Sequence, residues 1–390
     1  MPQPLSRKIL FFLIYLASLL YSFHYAIPLY IESSFISQVI PTAQFVGLVF
    51  SFASIFTVTG TFLLPRFLKR FGNYRTTLTV MGLEIFALII LALVSNPIAI
   101  VVFFVMQRIL GDIIFLNLDY FVEAFTDNEK TGGMRAIFMT VLNVAYAVAP
   151  FLAGLMLTDH EYWKIWLGAA LFMALGFLVI ARYFKNYEDP DYIIPNFKTT
   201  FYLVRGSHDL HSIIFMHFAL SFFYVWMVIY MPIYLNKFIG IPMHDILGVI
   251  IPIALLPFVL FEVGLGKLAD KKLGEKEILT VGFLIMGLST MSVAWVTTAS
   301  LTFWAILLFI TRTGASAVEA MTESYFYKQV GPGDAHLITF MRTLRATSYI
   351  IAPVIGSVLL YFISFNYLWL ILGIFMLSAI WFSLTIKDTK

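Results

Sequence analysis

Arg108, Asp112 and Asp119 punctuate an otherwise apolar stretch, VVFFVMQRILGDIIFLNLDYFVE. On a helix turning about 100° per residue these positions fall within about 40° of one another, forming one polar stripe. A second stretch repeats the pattern with Arg312, Ser316, Glu319 and Glu323. An ionisable group held in hydrocarbon is costly, so such groups face a bundle interior or a wet cavity. A guanidinium there suits an anionic or hydroxylated solute. It also suits an ion pair, with Asp112 for Arg108 and Glu319 for Arg312. Pairs that only stabilise a helix bundle account for the same residues. Asp112 and Glu319 are also candidates to carry a proton. Asp119, Glu123 and Glu323 lie nearer the helix ends, where a structural or gating role fits better than solute contact.

Other residues extend this set. Glu84 is a lone acid midway along an apolar segment. A desolvated carboxyl can exchange protons near neutral pH, which makes Glu84 a further proton candidate; a buried neutral acid is the alternative. Glu262 lies near a segment end and reads as structural. Arg342 and Arg345 open one segment: Arg342 at headgroup level, Arg345 deeper, for binding, gating or snorkelling. Tyr21, His24 and Tyr25 share one segment; His217, Tyr224 and Trp226 share another. Polar-tipped rings of this kind stack on, and hydrogen-bond to, a small organic ligand. Tyr25, Tyr30 and Tyr234 equally suit an interfacial aromatic belt. His208, Asp209 and His211 have a metal-like spacing but no third ligand, so neither metal nor cofactor is expected.

The surrounding sequence says what must position these groups. Of 390 residues, 61% are hydrophobic and 12% charged. A soluble domain is about a quarter charged, so lipid must be the solvent for most of this chain. That excludes a disordered chain, a nucleic-acid-binding module and an ordinary cytoplasmic enzyme. There is no cysteine, hence no disulfide, thiolate metal site or cysteine nucleophile. A helix needs about 20 mostly apolar residues to cross the hydrocarbon. Twelve segments qualify, at roughly 9–31, 41–65, 75–95, 98–122, 136–157, 162–183, 211–235, 243–267, 278–297, 300–325, 337–362 and 366–386. The first is too long for a cleaved signal peptide and no small-residue cleavage site follows it.

The only long connection, 184–210, contains Asp189-Pro190-Asp191 and Pro195. It divides the chain into six-span bundles at 1–183 and 211–390. Of the 25 Lys and Arg residues, 19 fall in segments on the side of the termini and linker. Two, Lys164 and Lys237, fall on the other side, and four lie inside spans. The positive-inside rule therefore predicts cytoplasmic termini in a plasma (inner) membrane protein. The halves also match in register. Pro28, Arg108 and Asp119 recur as Pro232, Arg312 and Glu323, each 204 residues on, and Gly72 recurs as Gly274, 202 on. Six spans per half make the repeats parallel. The expected fold is an all-α membrane protein of twelve transmembrane helices in two parallel six-helix repeats.

A local motif accompanies this organisation. Between spans 8 and 9 the chain reads GKLADKKLGEK, with Gly266, Leu268, Ala269, Asp270, Lys271 and Gly274. Between spans 2 and 3 it reads LLPRFLKRFGNYR, keeping Lys69, Arg70, Gly72 and Arg75. With two parallel repeats and a cytoplasmic linker, the whole chain resembles the major facilitator superfamily of secondary transporters. Its first loop departs from the family pattern: Leu64 and Leu68 stand where Gly and Asp are usual. The resemblance implies that spans 1, 4, 7 and 10 line a central cavity. It also implies that Asp270, and the loop residues Lys271, Gly266, Gly274, Arg70 and Gly72, latch a gate closed. A topology determinant alone explains the same loop, whose basic residues face anionic lipid heads.

The expected activity is alternating access with protons as the coupling ion: export of an amphipathic organic solute first, uptake of a sugar or organic acid second. Ala145, Ala149, Pro150, Ala153 and Gly154 in span 5 resemble the small-residue stretch of the family's antiporters, although Ala352-Pro353 repeats it in span 11. No nucleotide-binding domain, channel-filter loop or paired catalytic carboxylates are visible, so neither a pump, a channel nor an enzyme is expected. The expected partners are lipid, a small-molecule substrate and protons, with no nucleic acid, for a protein acting as a monomer.

Overall fold

The computed structural model describes residues 7–40, 42–125, 131–157, 161–187, 189, 204–269, 273–329 and 335–387. Among them there is no strand, and eleven helices are long and apolar enough to cross a membrane. The helix Thr131–Met156, whose described apolar stretch is Val144–Met156, occupies the remaining place as span 5. Spans 1 to 4 are Arg7–Leu29, Ala43–Phe71, Asn73–Leu93 and Pro97–Phe125, and span 6 is Trp163–Tyr183. Spans 7, 9, 10, 11 and 12 are His208–Ile233, Glu275–Ser292, Leu301–Gln329, Ala335–Phe362 and Phe365–Thr385.

Span boundaries have local causes. Asn96 accepts hydrogen bonds from the amides of Ile98 (3.0 Å) and Ala99 (3.1 Å), with Pro97 in the first helical position. That is a side-chain cap with the residue best suited to follow it. Ser207 caps span 7 through the Leu210 amide at 3.3 Å. Spans 3 and 9 both begin just after a glycine in the left-handed region, Gly72 at φ 77° and Gly274 at φ 81°. A side chain there would be strained, so both turns need Gly.

Prolines set the interruptions, because proline lacks an N–H and crowds the carbonyl four residues back. Past Pro28, span 1 stops at Leu29 and a short helix restarts at Glu32–Val39. Past its repeat partner Pro232, span 7 widens into the π turn Tyr234–Phe238. Span 8, expected over 243–267, runs from Met243 to Leu268 and comprises Met243–Asp245, a π turn at Ile246–Ile250, then Ile251–Leu260 and Glu262–Leu268. Pro252 and Pro257 account for this: each removes a donor from the i−4 ladder, and the wider turn relieves the clash.

The chain forms two compact units, Met1–Pro41 with Phe52–Ile194, and Thr42–Ser51 with Pro195–Lys390. The first turns of span 2 thus group with the second unit, where the Gln44 amide donates to the Leu360 carbonyl at 2.9 Å. In the first unit span 1 packs on spans 4, 5 and 6, and span 3 on spans 4 and 6. In the second, span 7 packs on spans 10, 11 and 12, and span 9 on spans 10 and 12. The internal repeat is therefore also a repeat of helix neighbours. Tyr25, Tyr30 and Tyr234, which suited an interfacial belt, are buried instead. An amphipathic ring with a hydrogen-bond partner is as stable in a core as at an interface.

Candidate functional site

Each unit carries its own polar cluster. In the first, span 1 presents Tyr21, His24 and Tyr25 on one face, as a three- and four-residue spacing dictates. The Tyr21 hydroxyl donates to the Gly111 carbonyl of span 4 at 2.9 Å, fixing the register of these helices. Arg108 lies buried, 3.2 Å from a carboxylate oxygen of Glu32 and 3.2 Å from the Tyr25 hydroxyl. Its guanidinium carbon sits 5.7 Å from the Tyr25 ring centroid. The Gln107 amide donates to the other Glu32 oxygen at 3.4 Å. His24 Nε2 lies 3.2 Å from Glu84 Oε1, and neither side chain has exposed surface. Asp112, half-buried one turn from Arg108, is within electrostatic reach of Tyr21, Glu32 and Glu84.

Glu32, Arg108, Asp112 and Glu84 thus lie within electrostatic reach of one another, with His24 beside Glu84, on spans 1, 3 and 4 and the short helix. Glu84, the one acid midway along its segment, meets His24 of the neighbouring span 1. Glu32 and Gln107 carried no expectation. Glu32 was placed beyond span 1, although only small and apolar residues with one Gln separate it from Pro41. That pattern was the available signal.

In the second unit Arg312 is buried against two rings of span 7, 5.2 Å from the Phe223 centroid and 5.5 Å from that of Tyr224. The Tyr224 hydroxyl donates to Glu319 Oε2 at 2.6 Å. Tyr224 thereby mediates between the two residues expected to pair directly: its ring stacks beneath the cation and its tip holds the acid. Glu262 joins this cluster, within electrostatic reach of Glu319 and Glu323. Arg345 is exposed and acts on both Glu319 and His217. Trp226 does not share the cluster's chemistry, because its indole N–H is spent on the Ala352 carbonyl at 2.7 Å.

The turn residues divide. Gly72 and Gly274 make the tight reversals, Arg70 is exposed with its guanidinium 5.2 Å from the Phe71 ring, and Gly266 has open space around it. Asp119 is half-buried and Glu323 exposed. Asp270 and Lys271 lie outside the described residues. Among the described residues no group of three or more metal-ligating side chains occurs, and the Asp209 carboxylate accepts instead from the Lys387 amide at 3.3 Å.

Solved transporters share this architecture. The nucleoside transporter NupG superposes with a TM-score of 0.75 at 14% identity, covering 97% of this chain and 100% of that one. An auto-inhibited POT family peptide transporter gives 0.77 at 12% identity, covering 98% of each chain. A bacterial homologue of the human lysosomal transporter Spinster, inward-facing and unoccupied, gives 0.71 at 12%, covering 97% and 95%. At such identities the likeness establishes the fold. No curated protein sequence matches this chain significantly. The family model of the Major Facilitator Superfamily matches residues 5–346. A match over most of the chain, on a fold of two parallel six-helix repeats, makes this multi-pass membrane protein a member of the Major Facilitator Superfamily of secondary transporters.

Proposed function

We propose that the protein exports a small amphipathic organic solute across the plasma (inner) membrane in exchange for protons, as a monomer with both termini cytoplasmic. The observation that carries this reading is the buried Glu32–Arg108 pair with His24–Glu84 beside it. Three carboxyls there face one guanidinium and one imidazole, so the cluster has more acid than base to neutralise. A buried carboxylate persists only when paired, hydrogen-bonded or protonated. A solute bearing a positive or hydrogen-donating group satisfies Glu32 or Asp112 when the proton leaves, and an arriving proton displaces it. Proton and solute then exclude each other, which is the requirement for exchange. The buried small face of Ala145, Ala149 and Ala153 in span 5 accords with the same reading.

Uptake is the second reading. A proton on Glu32 frees Arg108 for an anionic or hydroxylated solute, so proton and solute travel together. Arg108 having Glu32 as a partner favours it, as do relatives that transport polar cargo, nucleosides and peptides. A thermal-shift screen of purified protein with amphipathic cations, nucleosides, dipeptides and sugars identifies a ligand. Radiolabelled ligand is then followed in inside-out and right-side-out vesicles under an imposed pH gradient. Exchange predicts accumulation in inside-out vesicles with an acidic lumen, abolished by a protonophore. Accumulation in right-side-out vesicles with an acidic exterior selects uptake. Insensitivity to the gradient removes the proton from both.

A further inference from the structure

We propose that Asp189 is a positioning residue: it supplies, from the segment after span 6, the capping carboxylate that the turn between spans 2 and 3 lacks. The first amides of a helix have no partner within it and favour a nearby negative charge. Span 3 begins directly after Gly72, which offers no side chain for the purpose. The Asn73 amide donates instead to Asp189 Oδ1 at 2.7 Å. The other carboxylate oxygen lies 2.6 Å from where a Cβ on Gly72 would sit. Gly72 is therefore needed twice, for its left-handed backbone and for the approach of Asp189.

The asymmetry of the repeats explains why the acid comes from elsewhere. The second turn carries Asp270; the position 202 residues earlier, the offset relating Gly72 to Gly274, is Leu68. Leu68 is buried with Leu64 against Ile113, Leu116 and Tyr120. A carboxylate in that apolar setting would go uncompensated. Asp189 instead arrives on an anchored lead. Phe184 is buried with its ring 5.3 Å from Phe121, and the Tyr187 ring lies 4.5 Å from Phe121. The Tyr187 hydroxyl donates to the Tyr120 carbonyl at 3.4 Å. Asn73, which Asp189 holds, is itself buried and donates through its side chain to the Asn117 carbonyl of span 4 at 3.0 Å. The start of the linker thus fixes the first turn of span 3 against span 4, on the helix that carries Glu84. None of this depends on the solute or the coupling ion.

The test is hydrogen–deuterium exchange of the full-length protein in lipid nanodiscs, comparing wild type, Asp189→Asn and Asp189→Ala. Peptides covering residues 69–80 report the cap; peptides covering 271–282 report the matching turn of the other half. Loss of a helix cap should speed exchange of the amides at 73–76 about fivefold in Asp189→Ala. The near-isosteric Asp189→Asn keeps an acceptor oxygen without the charge, so its exchange falls between the other two. The second turn stays at the wild-type rate. Unchanged exchange at 73–76 in Asp189→Ala, or an acceleration shared equally by 271–282, overturns the assignment.

Discussion

Replacing Arg108 with Met keeps much of the side-chain length and removes the charge from a pair in which Arg108 is 5% exposed and Glu32 1%. Glu32 is then left with the Gln107 amide alone among the partners described above. Breaking a buried pair by deleting one member costs about 3–5 kcal/mol when the remaining charge stays put. Glu32 has an alternative, which is to take a proton. For a carboxyl that titrates near 4.3 when unfolded, holding a proton at pH 7 costs about 2.7 units at 1.36 kcal/mol each, or about 3.7 kcal/mol. The two routes cost similar amounts at neutral pH, so Arg108→Met should lose about 3–4 kcal/mol there.

Acid separates the routes. In the variant the folded state holds a proton that the unfolded chain releases, so the folded state binds more protons. Its stability must therefore fall as pH rises, by up to about 1.4 kcal/mol per unit. Going from pH 7 to pH 5.5 should raise the variant's own stability by about 2 kcal/mol. Burial already pushes the Glu32 carboxyl up to about 7 beside Arg108, so the wild type gains part of this and the gap closes by less. Glu84 also lies within electrostatic reach of Arg108, so Glu32 is isolated by comparing Arg108→Met with Arg108→Met combined with Glu32→Gln. The assay is thermal unfolding in detergent between pH 5.5 and 8. The gap in Tm should narrow towards acid and become pH-independent in Arg108→Met combined with Glu32→Gln. A constant gap in the single variant would refute the reasoning, because Glu32 would then carry no charge onto Arg108 in the wild type.

Four further outcomes follow from the geometry. Arg108→Ala and Arg312→Ala should each abolish transport of the screened ligand in vesicles matched for protein content; retained transport in both removes their binding role. Tyr224→Phe keeps the ring beneath Arg312 but deletes the 2.6 Å bond to Glu319. It should cost about 1–3 kcal/mol, read as a lowered Tm, and shift the pH profile of transport. Gly314→Ala should destabilise by about 1–3 kcal/mol, because its Cβ would meet the Gly282 carbonyl and the Met286 nitrogen at 2.6 Å. Gly82→Ala, with nothing within 4 Å, serves as its neutral or stabilising control in the same unfolding assay. Asp270→Ala should slow the maximal transport rate more than it weakens apparent affinity; a pure affinity defect counts against a latch.

The helices and their turns were legible because each rests on a local cause. Apolar length gives the spans, Asn96-Pro97 starts one, and Gly72 and Gly274 adopt a backbone conformation that few other residues tolerate. The polar clusters were legible only as lists. Arg108 and Arg312 stand out by being charged in apolar sequence, but their partners come from other helices, and sequence spacing carries no information across helices. Glu32 escaped for a specific reason. Hydropathy ended span 1 before it, whereas the break after Pro28 lets the chain restart as a helix and return the acid to the bundle beside Arg108. Tyr25 suits an interface and a buried hydrogen bond equally well, and its contact with Arg108 of another helix is what decides between them.

The repeat also bears on where a proton belongs. The arginine of span 4 has its counterpart in span 10, but the residues around it do not recur. At the offset of 204, His24 and Glu32 correspond to Val228 and Asn236; at the offset of 202, Glu84 corresponds to Met286. Val228 and Met286 are buried and cannot titrate, and Asn236 is occupied with the Ile241 carbonyl at 3.0 Å. The second unit seats its arginine on Phe223 and Tyr224 instead. Both halves thus keep a mid-span cation, but among the described residues only the first couples it directly to a carboxylate with a buried imidazole–carboxyl pair alongside. In the second, an aromatic ring stands between cation and acid. A ring gives cation–π attraction with no exchangeable charge. The competition between proton and solute proposed above therefore belongs to the first unit, at Glu32 and Asp112, while the second unit seats Arg312 on rings. Exchanging the two environments tests it. Glu32→Asn with His24→Val should remove the response to an imposed pH gradient and weaken ligand-induced thermal stabilisation together. Thermal stabilisation that persists unchanged would mean that proton and solute bind at separate clusters.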